Sequence, residues 1–377
     1  MAIYPNAWAD PNAPDYATAP YLETTYAVGV YYLLMPVIVE AWDVTVDLDG
    51  GRSPWGIATF KCPVSGPWAD MLDPLTPYPV VISAGYKYAA ASGPPTGLNS
   101  HEIFAGRVTR RRLRLGPDGE TYLEITAESY EAMLDYPSGL AVGVSNAYTK
   151  VKQFYDANVF LVKPTWTEPA TNATPTAPQL AEYRALSIET DDDVGDFLRT
   201  CASTLGQWMR GDLTSASPRV ECITDPYPYD RLNTIPASCF TDLDRDDNLD
   251  DWANIVRVTA QWTNASGDKV SKRRTYSEPV SLITTVNVLK AVDVTINQKP
   301  PGGAVPPANW GPALRWLRRY NASRGAWSGS MRALWWMQPR IDAIQITGAP
   351  YPAGAGAVQR VRFDVDAGMM NLQWALT

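Results

Sequence analysis

Histidine is almost missing: His101 is the single one among 377 residues. A Ser/His/Asp or Cys/His catalytic site would have to be built on it, and a zinc centre of the usual His-rich kind is out of reach with one imidazole. His101 lies in a polar stretch, LNSHEIF, ahead of a strand pattern, where a solvated loop histidine is the plain reading. Cysteine is scarce as well. Cys62, Cys201, Cys222 and Cys239 stand apart and none belongs to a CxxC pair, which removes zinc knuckles and redox motifs. Four scattered thiols in a chain of this length read as reduced and buried, with a disulfide between two of them left open. The apolar run 26–39 is shorter than the ~20 residues a membrane helix needs and is interrupted by Pro36. Asp10, Asp15 and Glu23 precede it in place of Lys or Arg, so a soluble chain with no export signal and no membrane anchor is expected. Positive charge is short too: 32 Lys and Arg against 40 Asp and Glu give −8, without the basic field of a general nucleic-acid binder. Local basic strips remain compatible with that balance.

What the chain has is turn residues and large aromatics. With 32 Pro, 26 Gly, 20 Tyr and 14 Trp it reads as a loop-rich, mainly β protein with a real core, at 45% hydrophobic. Its length suits two or three units of ~100–200 residues. The clearest stretch is EIFAGRVTRRRLRLGPDGETYLEITA, residues 102–127. Residues 103–115 read as a long strand, Gly116-Pro117-Asp118-Gly119 as a tight turn, and the return alternates Tyr122, Glu124, Thr126 against Leu123, Ile125, Ala127. A long antiparallel hairpin with one half-buried face follows.

The same style recurs along the chain. Residues 36–48 form a strand, Asp49-Gly50-Gly51 a turn, and residues 55–62 the return. Residues 80–88 are another strand, and SYEAMLDY at 129–136 a helical turn after the hairpin. A Pro/Thr/Ala stretch at 162–178 has no periodicity and reads as an exposed loop. Val194, Phe197, Leu198, Cys201, Leu205 and Trp208 then recur at helical spacing behind Asp193, a capping residue. After it come strands at 219–223, 254–262, 269–276, 286–296, 327–337 and 341–347, a helix near 310–320, and a closing hairpin at 359–366 and 370–376. No short repeat is visible. The two β-rich parts share only an ending: each closes on a hairpin whose first strand bears arginines.

Several patterns point toward chemistry and each has a plainer reading. Asp242, Asp244 and Asp246 copy the first ligands of an EF-hand, but Asp247 replaces the required Gly and Ala253 the closing Glu, so a solvated acidic loop is the simpler account. No spacing singles out a pair of carboxylates for glycoside cleavage. No Gly-rich phosphate loop joins a strand to a helix. Catalytic, cofactor and metal residues are therefore expected to be absent. Arg110, Arg112 and Arg114 share one strand face, with Arg107 and Arg111 on the other. That strip is either a solvated sheet face paired with Glu120 and Glu124, or a contact strip for an acidic partner or passing DNA. Trp310, Trp316, Trp327, Trp335 and Trp336 suit a subunit interface better than a sugar platform, given their density near strands. The residues proposed at an interface are Arg110, Arg112, Arg114, Trp335 and Trp336.

The order of these elements resembles the tail hub proteins of long-tailed bacteriophages, also called minor tail proteins or baseplate hubs. The resemblance is carried by VEAWDVTVDLDGGRSPWGIATFKCPV, by LDPLTPYPVVISAGY followed by IFAGRVTRRRLRL, by DDWANIVRV at 250–258, by ALRWLRRYNASRGAWSGSMRAL, and by the final VQRVRFDVDAGMMNLQWAL. It covers most of residues 36–377 and contains no catalytic motif. It implies two small antiparallel β-barrel, tube-type units plus an outer α/β domain. The corresponding boundaries are an N-terminal arm at 1–35, a first barrel at 36–137, the α/β domain at 138–250, and a second barrel at 251–377 with a helical insertion near 308–322. It further implies a homotrimer at the virion tail tip, assembled in the host cytoplasm, that adapts a hexameric tail tube or distal tail ring to a three-fold tip. Its partners would be the distal tail or tube protein, the tape-measure protein and tip or fibre proteins, with DNA only as passing cargo. No fused lysozyme or peptidase domain is implied. The rival readings are a carbohydrate- or cell-wall-binding module and a carboxylate-dependent glycan hydrolase.

Overall fold

The computed structural model describes residues 21–32, 35–50, 54–76, 78–88, 98–135, 147–157, 165–166, 192–205, 207–212, 219–224, 231–246, 253–264, 266–277, 289–296, 299–322, 326–348 and 355–376, with single positions between 180 and 190. In chain order the elements begin with β1 (Tyr21–Tyr32), β2 (Met35–Val39), β3 (Trp42–Asp49), β4 (Gly56–Pro63), β5 (Pro79–Tyr88), β6 (Leu98–Leu115) and β7 (Thr121–Ser129). Next come α1 (Ala147–Ala157), β8 (Thr165–Trp166), α2 (Val194–Thr204), β9 (Gln207–Gly211), β10 (Arg219–Thr224), β11 (Arg231–Pro236) and β12 (Phe240–Asp246). The last third holds β13 (Ile255–Thr263), β14 (Lys269–Ser277), β15 (Ala291–Ile296), α3 (Gly311–Ala322), β16 (Ala326–Arg332), β17 (Asp342–Thr347), β18 (Ala355–Asp364) and β19 (Met369–Leu376).

Period-two burial explains most of the strands. Val44, Val46 and Leu48 of β3, Ala58, Phe60 and Cys62 of β4, and Leu123, Ile125 and Ala127 of β7 are all buried, while their neighbours in sequence face outward. These strands belong to one large sheet of order β12-β16-β19-β18-β3-β4-β7-β6-β5-β1-β2, with β17 paired to β18 and β11 paired to β17. All of its pairings are antiparallel except β11 with β17. Two smaller sheets stand beside it, β8-β10-β9 and β14-β13-β15. The protein is thus mainly β with large antiparallel sheets, and the pairing order runs open from β12 to β2 among the described strands.

Several boundaries differ from the sequence-based expectations. The single strand expected at 36–48 is two strands, separated at Glu40 and Ala41, because β2 pairs with β1 while β3 pairs with β4 and β18. The apolar run at 26–39 is accordingly the paired β1 and β2 at one rim of the sheet, where Pro36 is tolerated because β2 is an edge strand. The end of the expected arm is therefore sheet, while residues 1–20 lie outside the described residues. The acidic run expected as a loop is strand β12 as far as Asp246, and residues 247–252 lie outside the description. Of the 162–178 stretch, Thr165 and Trp166 are described, and they form β8 against β10. The strand expected at 327–337 stops at Arg332; residues 333–337 turn back over the sheet and are buried.

The α/β part is attached through a buried carboxylate. Helix α2 buries Val194, Phe197, Leu198, Cys201 and Ala202 against the five-residue 3-10 turn after β7 and the β9–β10 sheet, in one cluster with Val81 and Ala105 of the main sheet. Glu131 in that turn is 1% exposed and accepts hydrogen bonds from the Trp55 backbone N–H and from the Ser129 hydroxyl (2.5 Å), while Ser129 Oγ accepts from the Gly56 N–H at 2.8 Å. A Cβ on Gly211 of β9 would lie 2.5 Å from Glu131 Oε2, so glycine there lets β9 approach the carboxylate. One acid holds the β3–β4 turn, the end of β7 and strand β9 together.

Candidate assembly interface

The large sheet repeats itself. The order β3-β4-β7-β6 in the first half matches β12-β16-β19-β18 in the second. The match extends to register. β6 carries a bulge between Val108 and Arg110, and β18 one between Val358 and Arg360. Arg110 faces Thr126, Arg112 faces Glu124 and Leu113 faces Leu123; Arg360 faces Gln373, Arg362 faces Asn371 and Phe363 faces Met370. Upstream, Gly106 pairs with Val80 of β5 as Gly356 pairs with Ile344 of β17. β12 likewise copies β3: each has a register shift near its start, and Arg245 faces Trp327 of β16 where Val46 faces Ala58 of β4. Identities are confined to a few backbone and arginine positions, too few for the sequence alone to reveal the repeat.

The halves meet where β18 pairs with β3. There Arg360 faces Asp49, Arg362 faces Asp47 and Phe363 faces Val46. The Arg360 guanidinium grips the Asp47 carboxylate with both Nε (2.8 Å) and Nη2, a fork geometry that fixes register as well as adding energy. The seam is filled by side chains from both halves. Tyr86 of β5 donates to the carbonyls of Ala333 (3.0 Å) and Gly368 (3.1 Å), and its ring lies 5.5 Å from Trp335, which also lies 5.5 Å from Phe363.

That seam decides the place of the two tryptophans expected at an interface. Trp335 is 2% exposed and Trp336 8%, the latter edge-on to His101 at 5.7 Å. They are core filler between the halves, because the 333–337 turn folds inward. Trp310 and Trp327 are buried as well. The arginines are different. Arg110 and Arg114 are exposed and Arg112 half-buried on the outer part of β6, with Arg114 Nε donating to Glu124 at 2.7 Å. Arg107 and Arg111 instead tie down the 66–76 loop, through the Pro74 carbonyl (2.9 Å), the Ala69 carbonyl (3.0 Å) and Asp73 (2.8 Å). β5 occupies the far edge of β6 only up to Arg107, so from Val108 to Leu115 no described strand covers it. Among the described strands β12 pairs with β16 alone, so no described strand covers its other edge either. Sequence reasoning missed this edge, having read 242–246 as a loop.

The four cysteines are free. Burial pushes the Cys62 thiol up to about 11 and that of Cys222 up to about 12, which makes both poor nucleophiles at neutral pH. No group of three or more His, Cys, Asp or Glu is placed to hold a metal ion among the described residues. One perturbed acid is Asp342, at the start of β17. It is fully buried, accepts from Arg231 Nη2 (3.0 Å), Asn233 Nδ2 (3.2 Å) and the Gln338 N–H (2.7 Å), and burial still pushes its carboxyl up to about 6. A folded state that holds this proton more tightly than the unfolded chain is favoured at low pH, and the gain is lost as pH rises through about 6. Asp342→Asn is therefore expected to be least harmful relative to the parent above that pH. The parent–variant gap in urea-unfolding free energy should change by on the order of 3 kcal/mol between pH ~4 and ~7. A gap independent of pH would contradict this environment for Asp342.

No protein-family model matches the sequence, and no curated protein matches it. Solved structures do. A 43 kDa tail protein of prophage MuSo2 from Shewanella oneidensis aligns over 93% of this chain and 98% of its own, with a TM-score of 0.54 at 9% identity. A tail protein from Neisseria meningitidis MC58 aligns over 93% of this chain and 96% of its own, with a TM-score of 0.52 at 12% identity. At such identities the likeness speaks for chain path and not for shared site residues, and it establishes that this chain has the fold of those two tail proteins.

Proposed function

We propose that the protein is a structural hub of a phage tail tip, acting through its shape and its sides and carrying out no reaction. The observation that carries this reading is the repeated strand register: one chain holds two near-equivalent units, so three chains present six. Such a body matches a hexameric tube or distal tail ring on one side and a three-fold tip on the other. The shared fold with two tail proteins supports the same setting, a virion tail component meeting a tape-measure protein within and tip or fibre proteins below. In this reading β3–β7 form the first tube-type unit. β11, β12 and β16–β19 form the second, beginning earlier than residue 251, and α1, α2 and β8–β10 are the outer α/β part. The carbohydrate-binding alternative loses its platform, since Trp335 and Trp336 are inside the chain.

Solution mass tests it. The purified protein, alone or with its tube partner, is expected to form a homotrimer at micromolar concentration by light scattering coupled to size exclusion. A strictly monomeric species under both conditions would count against the hub.

A further inference from the structure

We propose that the open edge of β6 is the docking site for a second copy of this chain, whose β12 pairs antiparallel with it in the register that β3 and β18 use within one chain. This rests on the hub reading only for the number of copies; the joint itself comes from the sheet.

Three observations converge. In the repeat, β6 is the counterpart of β18 and β12 the counterpart of β3, and β18 and β3 are paired. Among the described strands, the two remaining counterparts lack such a partner: β12 along its far edge, and β6 from Val108 to Leu115. Docking them repeats between chains the contact already made inside one, and places Arg112 opposite Asp246, Arg114 opposite Asp244 and Leu115 opposite Leu243. The second observation is charge. The β6 edge presents Arg110, Arg112 and Arg114, and β12 runs Asp242, Asp244, Asp246 at the same alternation. Like charges along each edge oppose β6–β6 and β12–β12 pairing and leave the unlike pairing as the favoured one. The internal joint already uses an Arg–Asp pair, Arg360 with Asp47. The third is apolar exposure. Leu113 and Leu115 are 65% and 72% exposed, whereas Phe363 and Val365, at the equivalent places beside β3, are fully buried. A copy laid along β6 would cover both leucines. The contact is heterologous, so it propagates from chain to chain and is completed only when a ring closes.

Cysteine pairing reads the joint directly. Arg114→Cys and Asp244→Cys are prepared as separate full-length chains, mixed, and oxidised mildly. A disulfide-linked dimer is expected in the mixture and not with either variant alone; the parent, whose own thiols are buried or half-buried, is the control. Linking by one variant alone means a joint between identical edges and overturns the proposal, as does the lack of any link at all concentrations. An oligomer that persists without the link overturns the joint and leaves the hub reading standing. A chain carrying both cysteines should close into linked trimers; closure on another number keeps the joint and overturns the count. In a second test, Asp244→Lys with Asp246→Lys should weaken self-association about tenfold or more. Adding Arg112→Glu and Arg114→Glu to that chain should restore it, with the thermal midpoint of the monomer little changed throughout. Failure of the reversed set to restore association contradicts the charge pairing.

Discussion

Trp374→Ala is expected to destabilise the protein by about 3–5 kcal/mol, the largest effect foreseen for a single substitution. Trp374 is 1% exposed on β19, the strand between β16 and β18. Its ring stacks on Trp327 at 6.1 Å with an 11° interplanar angle, and on Phe240 of the β12 edge at 5.7 Å. Truncation removes the transfer energy of an indole and leaves a cavity between three strands that cannot collapse without breaking their ladder. Two aromatic contacts are also lost, each worth about 0.5–1.5 kcal/mol beyond area. Against a typical total of about 5–15 kcal/mol this is a large fraction, so the urea midpoint should fall steeply with little change in slope. Trp42→Ala, at a position 38% exposed, is the contrast and should cost far less. A Trp374→Ala variant within about 1 kcal/mol of the parent would mean that the second half of the sheet is not packed as described.

Glu131→Ala should be the next most damaging. It deletes the acceptor for the buried Trp55 N–H and the Ser129 hydroxyl, and each buried polar group left unpaired costs about 1–3 kcal/mol. The loss should be local as well as global. Hydrogen exchange is expected to rise in the 54–56 turn and in β9, which meet at this side chain. Glu131→Gln keeps an acceptor and should retain most of the stability, because burial already raises the Glu131 carboxyl above the ordinary glutamate range and favours its neutral form. Equal damage from Ala and Gln would show that the carboxylate charge, rather than hydrogen bonding, holds the junction.

Much of the fold was legible in the sequence for plain reasons. The β6–β7 hairpin announced itself through Gly116-Pro117-Asp118-Gly119 and the alternation of Leu123, Ile125 and Ala127; the structure closes it with Leu115 opposite Thr121 and Gly119 at φ 79°. Helix α2 was visible from its apolar spacing behind Asp193. β12 was hidden because Asp242 and Asp244 are exposed on a strand with one described neighbour, where strand residues need no apolar alternation. The break between β2 and β3 was hidden because no Gly, Pro or Asn stands at 40–41 to mark a turn, and only the strands' partners differ. Trp335 and Trp336 were misplaced for a related reason: composition shows that tryptophans are present, and only the inward turn after Arg332 shows that they fill a seam. The internal repeat lives in pairing partners and bulge positions, properties of the sheet that a one-dimensional pattern carries weakly.

The repeat also gives the arginines of β6 and β18 different fates from one shared pattern. Arg360 is spent inside the chain on Asp47, whereas Arg110, at the equivalent position, lies with Arg112 on an edge that no described strand covers. Physical equivalence of the two sites is what turns an exposed basic strip into a specific expectation about a neighbour.

The most direct test of the central claim, that this chain works as a part of a closed wall, is a cryo-electron microscopy map of the protein in assembled tails. Three copies are expected around the tail axis, with the two halves of each chain alternating as six nearly equivalent units and sheet continuous across every boundary. A single copy, or a ring whose subunits touch through the α/β part while the β6 and β12 edges stay in solvent, would contradict it.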